Sequence, residues 1–215
     1  MTKLKVAVIF GGRSGEHEVS LVSAQSVMGA LDPEKYEVIP VGITRDGAWI
    51  VGDNTVMALE EEDFSAARSA AIFADPSKQG LWASVEGTAL ALESSGGVQP
   101  TSSPVGKLAA LSEVDVVFPV LHGTFGEDGT VQGLLELAGV PYVGAGVLAS
   151  AVAMDKITFK DVVQSHGLPI TDYVWMTRRQ WVDDPDRWLD QVETKLGYPV
   201  FTKPANLGSS VGISK

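Results

Sequence analysis

The start of the chain alternates apolar and polar positions in a way that predicts a strand, a helix and a second strand. Residues 5–10 form a run rich in Val and Ile that two glycines close, and residues 36–43 are typical of another strand. Between them, apolar side chains recur at helical spacing over residues 19–31, at Val19, Val22, Val27 and Leu31. A βαβ unit of this kind places the turn at 11–18 at the carboxyl end of the first strand, where open parallel sheets bind ligands. The pattern therefore predicts an α/β fold with a parallel sheet.

Another unit of strand, loop and helix follows further along the chain. Residues 114–121 are apolar throughout, as expected of a strand covered on both faces, and they deliver His122 to a glycine-rich loop at 122–129. A helix is predicted over 130–137, ending at Gly139. His122 is then either a structural histidine whose hydrogen bonds are made within the fold, or a functional histidine at the carboxyl edge of the sheet.

The segments between these units predict short elements. They are an edge strand at 48–51, a helix opened by the acidic residues 60–63 and running to 71, and a surface loop or short hairpin over 85–111.

The last part of the chain is organised around a small polar loop. Helices are predicted over 156–166 and from Asp184 onward, and strands over 170–176, 198–203 and 211–213. The connection at 205–210 carries Gly208, Ser209 and Ser210, and Lys203 enters it from the preceding strand. Close backbone approach, amide and hydroxyl donors and a full positive charge suit a phosphate. An ordinary hairpin with solvated serines and a surface lysine is the alternative.

Composition narrows the class of protein. The 215 residues carry a net charge of -11, which argues against nucleic acid as a partner. Hydrophobic residues make up 45% and charged residues 20%, as in a soluble globular protein, and no apolar run marks a membrane span. The absence of cysteine excludes disulfides and thiolate chemistry, and the start of the chain lacks a signal-peptide pattern, so we expect a cytoplasmic protein.

Two glycine-rich turns leave alternatives open on the sequence alone. In the first turn, Ser14 could cap the following helix, with Glu16 and Glu18 favoured by the helix dipole. Residues 144–149 fit the G-x-G-x-x-A dinucleotide fingerprint, which would suggest an oxidoreductase. However, the strand before them is very short, and no acidic residue ends a strand at the required distance.

Three motifs stand in a particular order along the chain. They are GGRSGEHEVS at 11–20, LHG with GEDGT within 121–130, and KP with GSSVG within 203–212, joined by PYVGAGVLASAVAMDK at 141–156. In order and spacing they resemble the D-alanine–D-alanine ligase family of the ATP-grasp superfamily, over nearly the whole chain. The resemblance implies a Rossmann-like N-terminal α/β domain at residues 1–144. Residues 145–215 would be the start of a central ATP-grasp domain, truncated at Lys215.

The resemblance also implies roles for particular residues. Glu16 would hold the ammonium group of the first D-alanine, helped by Ser209, and His122 would position that substrate. Lys156 and Lys203 would contact the phosphates of ATP, and Gly208, Ser209 and Ser210 would donate hydrogen bonds there. His17 has no evident constraint and is as well placed on the surface, and the Glu127-Asp128 pair would cap the next helix.

The implied reaction joins two D-alanine molecules through an acyl phosphate, for peptidoglycan precursors. ATP and Mg²⁺ or Mn²⁺ are expected, with the metal ligands beyond Lys215 and none in this chain. A homodimer through the N-terminal domain, without membrane or nucleic acid, is also expected. The alternatives are a D-alanine–D-lactate ligase, a non-catalytic N-terminal fragment and, from residues 144–149, a dinucleotide-binding oxidoreductase.

Overall fold

The computed structural model describes residues 2–84, 108–208 and 210–215. The chain divides into two compact units, residues 1–147 and 148–215. Among the described residues, no helix is both long enough and apolar enough to span a membrane.

The strands of the first unit form a seven-stranded sheet in the order β6-β5-β4-β3-β2-β1-β7. Their bounds are β1 (Leu4–Gly11), β2 (Tyr36–Ile43), β3 (Trp49–Val51), β4 (Arg68–Ala71), β5 (Leu81–Ser84), β6 (Leu108–Ser112) and β7 (Val116–Pro119). β1 is parallel to both of its neighbours, β2 and β7, and the other pairs are antiparallel. The predicted α/β fold with a parallel βαβ unit is therefore confirmed. The carboxyl ends of β1, β2 and β7 meet at one edge of the sheet.

Helices flank this sheet in the first unit and make up most of the regular structure of the second. They are α1 (His17–Ala30), α2 (Thr55–Glu60), α3 (Thr130–Ala138), α4 (Val147–Met154), α5 (Lys156–Ser165), α6 (Arg178–Asp183) and α7 (Pro185–Lys195), with a 3-10 turn at Pro76–Lys78. The predicted end of α3 at Gly139 is confirmed, since Gly139 takes the left-handed conformation there.

β1 lies at the centre of the core because its side chains alternate between the two faces of the sheet. Val8 and Phe10 pack in the cluster that contains Leu21 of α1. Ile9 packs in the opposite cluster, which contains Leu135 of α3. Fully burying a side chain of this size contributes about 1.5–3 kcal/mol. Strand β1 is thus held from both sides, and its carboxyl end gives the following turn a fixed base.

Helix α1 forms as predicted, but only part of its predicted apolar stripe is buried. Val27 and Leu31 are half-buried and pack against the core, whereas the start of the helix turns a polar face inward. Val19 and Val22 are 52% and 64% exposed, whereas His17, Ser20 and Leu21 are buried. The start of α1 packs over backbone groups at the strand ends, and such groups require hydrogen-bonding partners when they are buried. A face with polar side chains satisfies that requirement where valines could not.

Two predictions for the short elements were wrong. The segment at 48–51 does form a strand, β3, but it pairs with β2 and β4 and is not an edge. The acidic residues at 60–63 do not open a helix. Instead Glu60 ends α2 and the other three follow it, Glu62 takes a positive φ of 54°, and residues 68–71 form strand β4. Of the predicted loop or hairpin at 85–111, residues 85–107 lie outside the described part, and β6 pairs antiparallel with β5.

In the second unit the predicted helices are confirmed. Asp155 caps α5 by accepting hydrogen bonds from the amides of Ile157 and Thr158 at 3.1 and 2.7 Å. Asp184 caps α7 by accepting from the Arg187 amide at 3.1 Å. Both caps follow from the preference for aspartate at this position.

The predicted strands of the second unit are largely absent from its described residues. Residues 170–176 form no strand, and side-chain contacts hold the segment instead. The Tyr173 hydroxyl donates to Asp161, and Lys195 Nζ donates to the Tyr173 carbonyl at 3.0 Å. The strands expected at 198–203 and 211–213 are reduced to one antiparallel bridge between Thr202 and Ser214. A strand needs a continuous partner, and the described part of this unit supplies only that bridge.

Candidate functional site

Gly11 brings β1 to its end in a conformation that only glycine adopts easily. Its φ is +87°, and a Cβ at this position would lie 2.3 Å from the Ile43 carbonyl oxygen. The chain therefore turns tightly across the carboxyl edge of the sheet. This turn carries Ser14 and Glu16 toward the segment that follows β7.

Serine hydroxyls join the first turn and the start of α1 to the segment after β7. Ser14 Oγ donates to the His122 carbonyl at 2.6 Å. Ser20 Oγ donates to the Val120 carbonyl and accepts from the Gly11 amide at 2.8 Å, with Ser20 fully buried. The two segments that carry Glu16 and His122 are thereby held against each other.

Ser14 has a different role from the helix cap that the sequence suggested. The N-cap of α1 is Glu16, which makes no side-chain capping bond. Ser14 Oγ instead accepts from the Glu16 amide at 3.2 Å while donating across to His122. It therefore connects two loops.

Glu16 is half-buried at the start of α1, and its carboxylate lies against the backbone of Gly123. A Cβ built on Gly123 would be 2.6 Å from Glu16 Oε2, and the φ of Gly123 is +73°. Glycine at this position thus leaves room for the carboxylate. The structure therefore brings Glu16 and the loop of His122 together.

His122 is half-buried at the end of the segment that follows β7. Its Nε2 lies 3.0 Å from Ser23 Oγ on α1. The side chain is therefore anchored to α1 through one ring nitrogen, and its backbone is anchored to the first turn through Ser14.

The expectation that His17 has no constraint was wrong. It is 2% exposed, and its Nδ1 lies 2.8 Å from the Gly12 carbonyl oxygen. The ring packs against the turn, and its Cε1 lies 3.1 Å from the position that a Cβ of Gly11 would occupy. His17 is a structural residue of the site, whereas Glu18 lies on the surface in an ion pair with Arg45.

The two acids of the second loop serve different backbone groups. Asp128 accepts from the amides of Phe125 at 2.8 Å and of Thr130, the first residue of α3, at 3.0 Å. One member of the predicted pair therefore meets the start of that helix, whose N-cap is Gly129. Burial raises the pKa of Asp128, but these amide hydrogen bonds outweigh it and hold the pKa below the ordinary value. Glu127 accepts from the Gly123 amide at 2.6 Å and so braces the loop, not the helix.

A cavity of about 250 Å³ opens at this edge of the sheet beside the two loops. Ser14 and His122 contribute to its wall, and most of the remaining wall is apolar. Arg13 and Phe125 also line it, with the guanidinium carbon 5.0 Å from the ring centroid. Its apolar lining residues are Ile43, Trp49, Leu121, Val131 and Leu134.

The candidate phosphate residues lie in the second unit. Lys156 Nζ donates to the carbonyl oxygens of Ala205, at 3.4 Å, and of Leu207, so this lysine fastens the loop that leads to Gly208. Lys203 is exposed and makes no hydrogen bond or ion pair with the described residues. Ser210 takes a φ of +62°, and Ser209 lies outside the described residues. The structure thus joins Lys156 to the loop, and no group among the described residues pairs with the Lys203 ammonium group.

Within the described ranges, no group of three or more His, Asp or Glu side chains could hold a metal ion.

Ser20 and Ser23, which shape the site, were not predicted as site residues. Their spacing carried a signal, because Ser20 lies on the same helical face as His17, Leu21 and Ala24, and this face packs on the sheet edge.

The dinucleotide alternative at residues 144–149 lacks the surrounding elements that it requires. Tyr142 makes only an isolated parallel bridge with Val117 before Gly144. Asp161 lies within α5, and Asp172 falls in a segment without a strand. The strand, helix and acid of that fingerprint are therefore not found together in the described chain.

Comparison with known proteins identifies the family. Residues 5–145 match the family described as D-ala D-ala ligase N-terminus, and residues 162–215 match D-ala D-ala ligase C-terminus. The D-alanine–D-alanine ligase of Natranaerobius thermophilus is 49% identical over 216 residues, covering 100% of this chain and 53% of that protein. That of Caldicellulosiruptor bescii is 44% identical over 215 residues, covering 100% and 54%. The chain spans about half the length of the curated relatives it matches.

Solved structures agree with this. The VanG D-Ala:D-Ser ligase from Enterococcus faecalis superposes with a TM-score of 0.75 at 34% identity, covering 99% of this chain and 55% of that one. The D-alanine-D-alanine ligase from Coxiella burnetii gives a TM-score of 0.74 at 33% identity, covering 100% and 54%. Because the N-terminal family alone matches residues 5–145, more than half of its length, this chain belongs to the D-alanine–D-alanine ligase family.

Proposed function

We propose that these residues serve an ATP-dependent D-alanine–D-alanine ligase that makes the dipeptide for peptidoglycan precursors. The observation that carries the proposal is the match of the whole chain to ligases of this name at 44–49% identity. It is supported by the arrangement of Glu16, Gly123 and His122 at the carboxyl edge of a parallel sheet, where ligands of α/β proteins bind.

The proposed reaction has two steps. The carboxylate of the first D-alanine attacks the γ-phosphorus of ATP, giving an acyl phosphate and ADP. The amine of the second D-alanine then attacks the acyl carbon, a proton leaves the amine, and the tetrahedral intermediate expels phosphate as the peptide bond forms. Each step develops negative charge on oxygen, which fixed donors and cations stabilise.

Glu16 is proposed to bind the ammonium group of the first D-alanine. Glu16 stands at the N-cap of α1, and a carboxylate offers two acceptor oxygens to an ammonium group. His122, anchored by Ser23 and Ser14, is proposed to position the same substrate.

The second unit is proposed to hold the phosphates of ATP. Lys203 has an ammonium group without a partner among the described residues, which suits a point charge for a phosphate. Lys156 bonds to the carbonyl oxygens of Ala205 and Leu207, in the segment that leads to Gly208. The amides and hydroxyls of Gly208, Ser209 and Ser210 would donate to phosphate oxygens. The family resemblance also implies Mg²⁺ or Mn²⁺, but the described residues include no cluster that fits a metal, so no step is assigned to one.

We further propose the domain division and assembly that the family resemblance implies. Residues 1–144 would form the N-terminal ligase domain and residues 145–215 the beginning of the ATP-grasp domain, and the compact units at 1–147 and 148–215 support this. A cytoplasmic homodimer formed through the first domain is the proposed assembly. Light scattering that finds only monomer at micromolar concentration would contradict it.

A D-alanine–D-serine ligase is the second candidate, because the TM-score of 0.75 to a D-Ala:D-Ser ligase is at least as high as that of 0.74 to a D-alanine-D-alanine ligase. D-lactate is a further possible second substrate. The assay below therefore offers D-serine and D-lactate beside D-alanine.

The test is phosphate release from ATP and Mg²⁺ by a protein that includes these 215 residues, with L-alanine as the control amino acid. We expect release that requires D-alanine, with D-alanyl-D-alanine as the product identified by mass spectrometry. Mixed products from D-alanine and D-serine would favour the second candidate. Release that is independent of D-amino acids would contradict the proposal.

Glu16→Gln tests the ammonium site in the same assay. Loss of a hydrogen bond to a charged group costs about 1.5–3 kcal/mol, so we expect the KM for the first D-alanine to rise about 10- to 150-fold. Glu18→Gln is the matched control, because this carboxylate pairs with Arg45 at the surface. Equal KM values for the two variants would remove Glu16 from the substrate site.

A further inference from the structure

We propose that Ser23 is a positioning residue for His122, fixing the orientation of its ring and leaving Nδ1 as the nitrogen that meets a ligand. Only the kinetic part of this inference rests on the proposed function. The contact that carries it is the 3.0 Å separation between Ser23 Oγ and His122 Nε2, formed between residues 99 positions apart in the chain.

The surroundings of His122 make this contact specific. Its backbone is already fixed, because the His122 carbonyl accepts from Ser14 Oγ and the Val120 carbonyl accepts from Ser20 Oγ. What remains free to vary is rotation of the side chain about its own bonds. The Ser23 hydroxyl is the described group that hydrogen-bonds to the ring, so it selects one rotamer.

The Ser23 hydroxyl is also available for this contact. The hydroxyl of a helical serine often donates to the carbonyl four residues earlier, as Ser26 Oγ does to the Val22 carbonyl at 3.1 Å. No such bond is formed by Ser23 within the described chain, where its hydroxyl pairs with the imidazole.

The ring nitrogens of His122 are therefore unequal. Nε2 is engaged by Ser23, whichever of the two supplies the hydrogen. Nδ1 has no hydrogen-bonding partner among the described residues. A second partner that fixes one nitrogen of a histidine commonly sets which nitrogen faces the substrate and in which tautomer.

The first test is independent of enzyme activity. In ¹⁵N NMR spectra of the imidazole rings, we expect Ser23→Ala to shift the Nε2 and Nδ1 resonances of His122, while those of His17 and His166 stay in place. Ser23→Thr retains a hydroxyl and should restore the wild-type resonances. Ser26→Ala is the matched control, because it makes the same change on α1 at a hydroxyl that bonds only to its own helix.

Unchanged His122 resonances in Ser23→Ala would overturn the proposal. Equal shifts of His17 would overturn it as well, because α1 itself would then have moved. Ala is a better helix former than Ser, so Ser23→Ala is expected to fold.

The second test uses the ligase assay. We expect Ser23→Ala to raise the KM for the first D-alanine about two- to tenfold, the effect of one neutral hydrogen bond, with kcat changed less. Ser23→Thr should recover most of the loss. If Ser23→Ala shifts the His122 resonances but the wild-type protein shows no D-alanine-dependent activity, only the proposed function is contradicted. If the resonances shift but the KM of Ser23→Ala is normal, the part of the inference that concerns the substrate is refuted.

Discussion

Ser20→Ala offers the sharpest test of how the two halves of the site are joined. Ser20 is fully buried, and its hydroxyl serves two backbone groups that are distant in sequence, the Gly11 amide and the Val120 carbonyl. Alanine would remove both hydrogen bonds while leaving the amide and the carbonyl in place. The rest of α1 would be unaffected, since alanine favours the helix.

The magnitude follows from the number of groups left without a partner. Each buried polar group that loses its hydrogen bond costs about 1–3 kcal/mol, and partial relaxation of the loops recovers some of this. We therefore expect a loss of about 2–4 kcal/mol in the stability of the first unit. Ser26→Ala, which removes an exposed hydroxyl bonded within its own helix, should change stability by less than about 0.5 kcal/mol.

Hydrogen exchange is the suitable measurement, because two compact units do not guarantee a single unfolding transition. The amides of β1 report on the first unit alone. A loss of about 2–4 kcal/mol corresponds to a reduction of about 30- to 1,000-fold in their protection factors, where exchange proceeds through opening of that unit. Equal protection in Ser20→Ala and Ser26→Ala would refute the reasoning, because it would show that neither bond of Ser20 stabilises the native state.

Further predictions concern the loops and their charges. Gly123→Ala would place a Cβ 2.6 Å from Glu16 Oε2, so we expect a raised KM for D-alanine. The positive φ of Gly123 should add a stability loss of about 1–2 kcal/mol. The control Gly133→Ala should not destabilise the protein, because its Cβ would enter open space. Lys203→Ala should weaken ATP binding by about 1.5–3 kcal/mol, and equal affinity by calorimetry would contradict the assignment. Hydrogen bonds from the first turn of α5 hold the pKa of Asp155 below its ordinary value. A folded pKa below the unfolded one gives stability that is present above the unfolded pKa and lost as the pH falls through the folded pKa. Asp155→Asn should flatten that acid dependence of α5 helicity in circular dichroism, and a profile identical to wild type would disprove it.

The sequence predicted the central part of the fold because hydrophobic periodicity there reflects burial on both faces of a parallel sheet. Strand β2 was found at the predicted residues 36–43, and β1 extended the predicted run by one residue at each end. Predictions failed where a local signal competed with pairing. The acids at 60–63 favour a helix start, but the segment that follows them pairs with β3 as strand β4.

The residues of the candidate site were predictable to different degrees. Glu16 and His122 follow from glycine-rich turns at strand ends, and the structure places their loops together. The burial of His17 could not be predicted, because it depends on a backbone carbonyl at Gly12 that becomes accessible only in the folded turn. Hydrogen-bonding partners of this kind are set by tertiary approach and leave no periodic trace in the sequence.

Three serines on α1 show how one helix separates stability from function. Ser20 is buried between two backbone groups, so its loss should destabilise the unit. Ser23 is half-buried and contacts a side chain, so its loss should alter His122 without unfolding the helix. Ser26 is exposed and bonds to its own turn, so its loss should do neither. Serine-to-alanine substitutions at intervals of three residues thus test the core, the site and the solvent-exposed surface in turn. If all three variants behaved alike, burial and partner identity could not be what assigns these serines their roles.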